Sequence, residues 1–166
     1  AQEEWGDWLS MQEVALDFQN DPWERLSIFG QIARNQEQNQ NDARSAMHTW
    51  ARAFSQEYGN HDVRNELERL AEQESAWQEL VGAYEDGIDD YDDVDGGMDI
   101  LRRLADVYES RLSDVDQAIH SYDRIVSLNE NDVEAYNALV RLLDPVHRAP
   151  DMVAVLERKI DLADEA

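Results

Sequence analysis

The chain has no cysteine. That removes disulfides, thiolate zinc sites and any cysteine nucleophile at once. Lysine is nearly missing too: Lys159 is the only one among 14 basic residues, and these face 38 carboxylates for a net charge of −24. A surface so short of positive charge lacks the basic stripe that phosphate binding needs for counterion release, which excludes nucleic acid as a partner. Anionic membrane surfaces are disfavoured on the same ground. No apolar run approaches the ~18 residues of a membrane span, and no stretch reads as a signal peptide. The chain starts on Ala1 rather than Met, as expected of trimming, processing or excision from a longer protein. A cytoplasmic setting is expected, or a secreted or periplasmic one if a signal peptide has been removed. Prolines are few, at Pro22, Pro145 and Pro150, and alternating β-branched residues are scarce.

What remains is enough to fold. Leu, Ile, Val and Phe make up 37 of the 166 residues, just above the ~20 % below which a highly charged chain is usually disordered. Five Trp and six Tyr add large buriable areas, so one folded domain is expected. Arginine keeps its charge and forks onto carboxylates, which suits an acidic surface stitched by ion pairs. Three readings of the acidity stand side by side: a solvated face that keeps the protein soluble, a high-salt habitat, and a dedicated basic partner.

Apolar residues recur at spacings of three and four, as in Ile28 and Ile32, or Leu101, Leu104, Ala105 and Tyr108. That is the helix period. Asp21-Pro22-Trp23-Glu24 offers a capping side chain, a proline at the first helical position and an acid at the third. Ser75-Ala76-Trp77-Gln78 and Asn131-Asp132-Val133-Glu134 carry similar starts, and Gly59 is placed to close a helix in the left-handed conformation. The pattern predicts nine helices, near 3–18, 22–39, 43–58, 62–73, 76–87, 97–112, 114–128, 132–143 and 150–163. Short connections make sequential helices antiparallel hairpins.

The chain also repeats itself. The shift that places Trp5 on Trp77 also places Ile28 on Ile100, Asp42 on Asp114, Ala46 on Ala118, His48 on His120 and Arg52 on Arg124. It continues with Asn65 on Asn137 and with Leu67, Arg69 and Leu70 on Leu139, Arg141 and Leu142. Residues 5–70 give 16 identities in 66 ungapped pairs, where chance at ordinary composition gives about four or five. The register slips by three after Leu143, where 144–150 lengthens the turn. A 72-residue unit of four helices is two hairpins of about 36, a solenoid period. The whole chain reads as one solenoid segment: a double repeat over 5–73 and 77–145, followed by a final helix at 150–163.

Leu101-x-x-Leu104-Ala105-x-x-Tyr108 followed by Ala118-x-x-x-Tyr122-x-x-Ile125-Val126 resembles the tetratricopeptide repeat. It departs from that pattern in one extra residue between Tyr108 and Ala118, and in Glu130 where the closing proline usually stands. The motif is recognisable over 98–131 and weaker at 26–59, where Gln36 fills the Tyr slot. The resemblance, to degenerate arrays of long bacterial proteins, implies an all-α, right-handed α-solenoid of antiparallel helix pairs whose concave face binds protein or peptide. It also implies that the first helix of each hairpin lines that face. Asp99, Arg102 and Asp106, with their mates Ser27, Gly30 and Arg34, then face the groove, as do Asp62, Asn65 and Arg69 with Glu134, Asn137 and Arg141. Arg34, Asn65, Arg69, Arg102, Asn137 and Arg141 are the candidate partner-binding residues. No core demand explains the repeat-identical Asn and Arg, and such a pair can grip a peptide backbone and a carboxylate. Ordinary helix-surface pairing with nearby acids is the favoured explanation of them, with the groove carried beside it as the sharper hypothesis.

Other chemistry finds little support. The acid run from Glu85 to Asp95 fails as a calcium loop: with Gly96 at the sixth position, Tyr91 falls at the first and Arg102 at the twelfth. His48 and His120 occupy equivalent repeat positions and do not converge on a metal. No nucleophile elbow, phosphate loop or dinucleotide fingerprint occurs. Trp5, Trp50 and Trp77 sit at repeat-phased core positions, whereas Trp23 at a helix start is the aromatic expected to be partly exposed. Both terminal segments, around Trp5-x-x-Trp8-Leu9 and Met152 to Ile160, lack the polar outer side of a capping helix. They point to neighbouring repeats or to self-association through the ends. The expected function is a non-enzymatic protein-interaction scaffold without cofactor or metal. The alternative is a structural spacer or assembly segment of a larger repeat protein.

Overall fold

The computed structural model describes residues 2–57, 59–88, 94–143 and 149–164. They form nine α-helices and contain no strand: α1 (Gln2–Phe18), α2 (Pro22–Gln38), α3 (Ala43–Phe54), α4 (His61–Glu74), α5 (Trp77–Ile88), α6 (Val94–Val107), α7 (Val115–Leu128), α8 (Val133–Leu143) and α9 (Ala149–Asp164). The chain divides into two compact units, Ala1–Gly87 and Ile88–Ala166. Within each, sequential helices pack on one another as antiparallel neighbours, α2 on α3 and α3 on α4 in the first, α6 on α7, α7 on α8 and α8 on α9 in the second. The fold class expected from the helix period, the internal repeat and the resemblance is the one observed.

The core follows the repeat. Phe29, Ile32 and Ala33 of α2 are buried, as are their mates Leu101, Leu104 and Ala105 of α6. Ala46 and Phe54 of α3 match Ala118 and Val126 of α7, and Leu67 and Leu70 of α4 match Leu139 and Leu142 of α8. Small residues at Ala33, Ala46, Ala105 and Ala118 let neighbouring helices approach closely, and the large apolar side chains fill the space between them.

The hairpin turns repeat as well. Asn41 and Ser113 both take left-handed backbone, at φ 55° and 54°. Each precedes an aspartate that caps the next helix: Asp42 accepts the Ser45 N–H at 2.9 Å and Asp114 the Gln117 N–H at 3.2 Å. In both, the aspartate N–H closes the turn on an upstream carbonyl, Gln36 at 2.9 Å and Tyr108 at 2.8 Å. In the second copy a π-helical turn over Tyr108–Leu112 continues α6, whereas the first copy spans the same spacing, from Gln36 to Asp42, with an α-helix that ends at Gln38.

Three local expectations are corrected. Gly59 closes no helix in the left-handed region: α3 ends at Phe54 and no described glycine has positive φ. Ser75 does not cap α5. It ends α4 in the left-handed region at φ 53°, its N–H bonded to the Ala71 carbonyl, the position that closes a helix where the chain turns into the next. At α8 the cap is Asp132, one residue after Asn131, accepting the Ala135 N–H at 2.9 Å. Asp21 and Pro22 start α2 as the sequence indicates. The segment 89–93, with most of the acid-rich turn, and 144–148 lie outside the described residues.

Candidate functional site

The unit-1 site is built by α2 and α4, with α3 beside them. Arg69 of α4 lays its two terminal nitrogens on both carboxylate oxygens of Glu37 on α2, at 2.8 and 2.7 Å. Its Nε and Nη2 also bond Glu66, at 3.0 and 2.8 Å, and Nη1 reaches Gln73 at 3.4 Å. These hydrogen bonds, Glu37 foremost, hold the guanidinium pKa well above its ordinary value. In unit 2, Arg141 of α8 forks onto Glu109 in the same way, its Nη2 at 2.8 Å. That bond pulls the Glu109 carboxyl below its usual range. Glu37 and Glu109 are themselves equivalent positions of the repeat. The repeat-identical arginines therefore belong to one repeated ion pair, which ties the first helix of one hairpin to the first helix of the next.

Arg34, Asn65 and Arg69 come together. With Glu37, Trp50 and Asp62 they line a pocket of about 400 Å³. The other three candidates are each engaged by their own unit. Arg102 donates to Asp132, whose buried carboxylate also caps α8. Asn137 accepts from Lys159 of α9, and Arg141 is held by Glu109. Asp99, assigned to the same face, pairs with Arg103 at 3.5 Å. Among the described residues no three carboxylate or histidine side chains gather as metal ligands. No helix of these residues is long and apolar enough to cross a membrane.

Local reading misses two parts of this site. Glu37 and Glu66 are hidden among many acids, although the identity of Glu37 with Glu109 is a signal. Trp50 is half-buried rather than a closed core residue. Its ring edge sits over Gly30, where an added Cβ would meet Trp50 Cη2 at 3.2 Å and Arg34 Nη2 at 3.4 Å. Trp5 and Trp77 are likewise only partly buried, and Trp5 meets Trp8 edge to face at 6.4 Å. Trp23 is exposed, at 76 %, as its place at a helix start suggests.

This fold, with its ladder of hairpins and repeated cross-hairpin pair, defines a helical-repeat protein of the tetratricopeptide-like class at the level of architecture. Among solved structures the chain is similar to MamA. One crystal structure of MamA superposes with a TM-score of 0.51 at 14 % identity, covering 84 % of this chain and 78 % of MamA. A second gives the same score and identity over 84 % and 73 %. At such identity the likeness speaks for the fold alone. No protein-family model matches the chain, and no curated protein matches it in sequence.

Proposed function

We propose that the chain is a non-enzymatic protein-interaction scaffold that binds a protein or peptide on the face carried by the first helix of each hairpin. The observation that carries this reading is the pocket of unit 1, where Arg34, Asn65 and Arg69 line one cavity with an indole wall. Helical-repeat architecture supports it, because stacked hairpins present long rows of side chains suited to extended partners. In unit 2 the proposed face carries Arg102, Asn137 and Arg141, of which Asn137 and Arg141 stand at the positions of Asn65 and Arg69, each already engaged by a side chain of that unit.

A photo-crosslinking amino acid tests the face. Placed at position 65, on α4, it should capture a protein partner that the same group at the exposed His48, on α3, does not. Equal capture from both positions, or none from 65, would overturn the reading.

A second reading has its own support. Met11, Val14 and Phe18 form an exposed apolar stripe on α1, and Val153, Leu156 and Ile160 form one of identical spacing on α9. A spacer that stacks through its ends, on neighbouring repeats or on another copy, would use these. Sedimentation of the chain against a Phe18→Asp, Ile160→Asp variant separates the two: an assembly lost in the variant favours the spacer, and a monomer in both favours the scaffold.

A further inference from the structure

Arg69 looks like the anion-binding residue of the pocket, but its hydrogen-bonding capacity is already used. The Nε, Nη1 and Nη2 groups all point at protein oxygens, four bonds to Glu37 and Glu66 and one to Gln73. A ligand carboxylate would have to displace Glu37, exchanging one bidentate pair for another and gaining little. Arg69 is therefore wall, and its two carboxylate partners are neutralised in part by it.

Arg34 is different. It lies one helical turn before Glu37, is exposed, and makes no hydrogen bond or ion pair among the described residues. Gly30 leaves the space into which both the Arg34 guanidinium and the Trp50 ring edge project. A Cβ there would crowd the Trp50 edge at 3.2 Å and require it to give by a few tenths of an ångström. On α4, the amide of Asn65 lines the same pocket and is also without a partner among the described residues. A cation, an indole edge and a free amide thus share one pocket.

The repeat supplies an internal comparison. The mate of Arg34 in the second copy is Asp106, and the mate of Gly30 is Arg102, which Asp132 occupies. The mate of Asn65, Asn137, is taken by Lys159. The same scaffold is open in unit 1 and filled by its own side chains in unit 2.

We propose that the recognition function resides in unit 1, where Arg34, backed by Trp50 and assisted by Asn65, receives an acidic side chain of a peptide whose neighbouring apolar or aromatic residue lies on the indole. This rests on the scaffold reading and sharpens it. The Arg34 guanidinium supplies two parallel donors to the carboxylate. The Asn65 amide offers both a donor and an acceptor to the peptide backbone. Asp62, at another part of the lining, repels a second acid and so favours a peptide with a single negative charge at this point.

The test uses the whole chain, labelled with ¹⁵N, and two blocked peptides, acetyl-Ala-Phe-Glu-Ala-amide and its Gln counterpart, at about 0.15 M NaCl, where the Debye length is about 8 Å and long-range repulsion is damped. The Glu peptide should shift the Arg34 Nε–H, Trp50 indole N–H and Asn65 amide signals together and saturably. The Gln peptide should bind about tenfold more weakly, and Arg34→Gln should erase that difference without changing helicity. Movement of the Arg69 signal instead, with tighter binding in Glu37→Gln, would make Arg69 the anion site and overturn the proposal. Equal shifts around Asn137 and Arg141 would overturn the restriction to unit 1 while leaving the scaffold reading intact. No shift with either peptide would also reject it, and the crosslink from position 65 would then decide the scaffold reading separately.

Discussion

Arg69 grips both oxygens of Glu37 across 32 residues of chain, and the same grip recurs one repeat later between Arg141 and Glu109. The arginine is 43 % exposed and the glutamate 24 %, so the pair is partly screened by water. Its coupling in a double-mutant cycle with Glu37→Gln and Arg69→Gln should fall within about 0.2–1 kcal/mol. Charge reversal is a different matter. Arg69→Glu alone sets a third carboxylate against Glu37 and Glu66 and should cost more than removal. Combining it with Glu37→Arg should recover most of the loss. Urea unfolding of the four variants measures this, and a swap no more stable than Arg69→Glu would count against the pair as a structural tie.

Two glycines of α5 should respond in opposite directions to the same change. A Cβ on Gly87 would stand 2.6 Å from Cε1 of Phe54, a fully buried ring that also packs on Tyr84 at 5.3 Å. Neither ring can retreat without disturbing the core, and Gly87→Ala should destabilise by about 1–3 kcal/mol. Gly82 has nothing within 4 Å of its Cβ position. There Gly82→Ala removes only backbone freedom and should stabilise by roughly 0.5–1 kcal/mol. Denaturant midpoints of the two variants, compared at equal slope, decide it.

Much of this was legible in the sequence because the helical signals are local. Pro22, Asp42, Asp114 and the three-four spacing of Ile32, Leu104 and Ala105 act within one turn, and the identity between the two copies of the repeat marks which helices correspond. The failures have a common cause. Gly59 and Ser75 mislead when read by residue type, because the turn geometry is set by where the next hairpin must pack. Arg69 and Arg141 stand out as polar identities, but each finds its partner on the preceding hairpin, and neither charge nor spacing points to Glu37 among 38 acids. The phase of Trp50 assigns it to the core. Only Gly30 across the helix interface explains why its edge reaches a pocket.

Acid should unfold the protein through identifiable carboxylates. The Arg52 fork holds the Glu13 carboxyl below its usual range, the Arg141 fork does so for Glu109, and the Ser45 N–H and hydroxyl do so for Asp42. A group whose folded pKa is depressed contributes its full stability above the unfolded value, about 4.3 for Glu and 3.9 for Asp. That stability is lost as pH falls through the folded value. The melting temperature should therefore hold from pH 8 to about pH 5 and drop below about pH 4. Glu13→Gln with Glu109→Gln should make the acid limb shallower. An unchanged limb in that variant would remove these two residues from the account.

Salt decides among the meanings of the acidity. At −24 the folded chain repels itself, while exposed pairs such as Arg52 with Glu13 and Arg44 with Glu79 contribute at most about 1 kcal/mol each. Screening weakens both, but with 14 basic residues against 38 carboxylates most of the acidic charge has no cation to pair with. Added NaCl should therefore raise the melting temperature, and a net gain of about 1–2 kcal/mol corresponds to roughly 2–8 °C for a chain of this size. The shape of the curve carries the distinction. A rise complete by about 0.2 M, where the Debye length has shrunk below ~8 Å, marks an acidic face that is simply solvated. A rise that continues to molar salt marks a surface suited to a saline setting. A falling curve would mean that the arginine pairs outweigh the repulsion, and the excess carboxylates would then have to be explained by a basic partner rather than by the solvent.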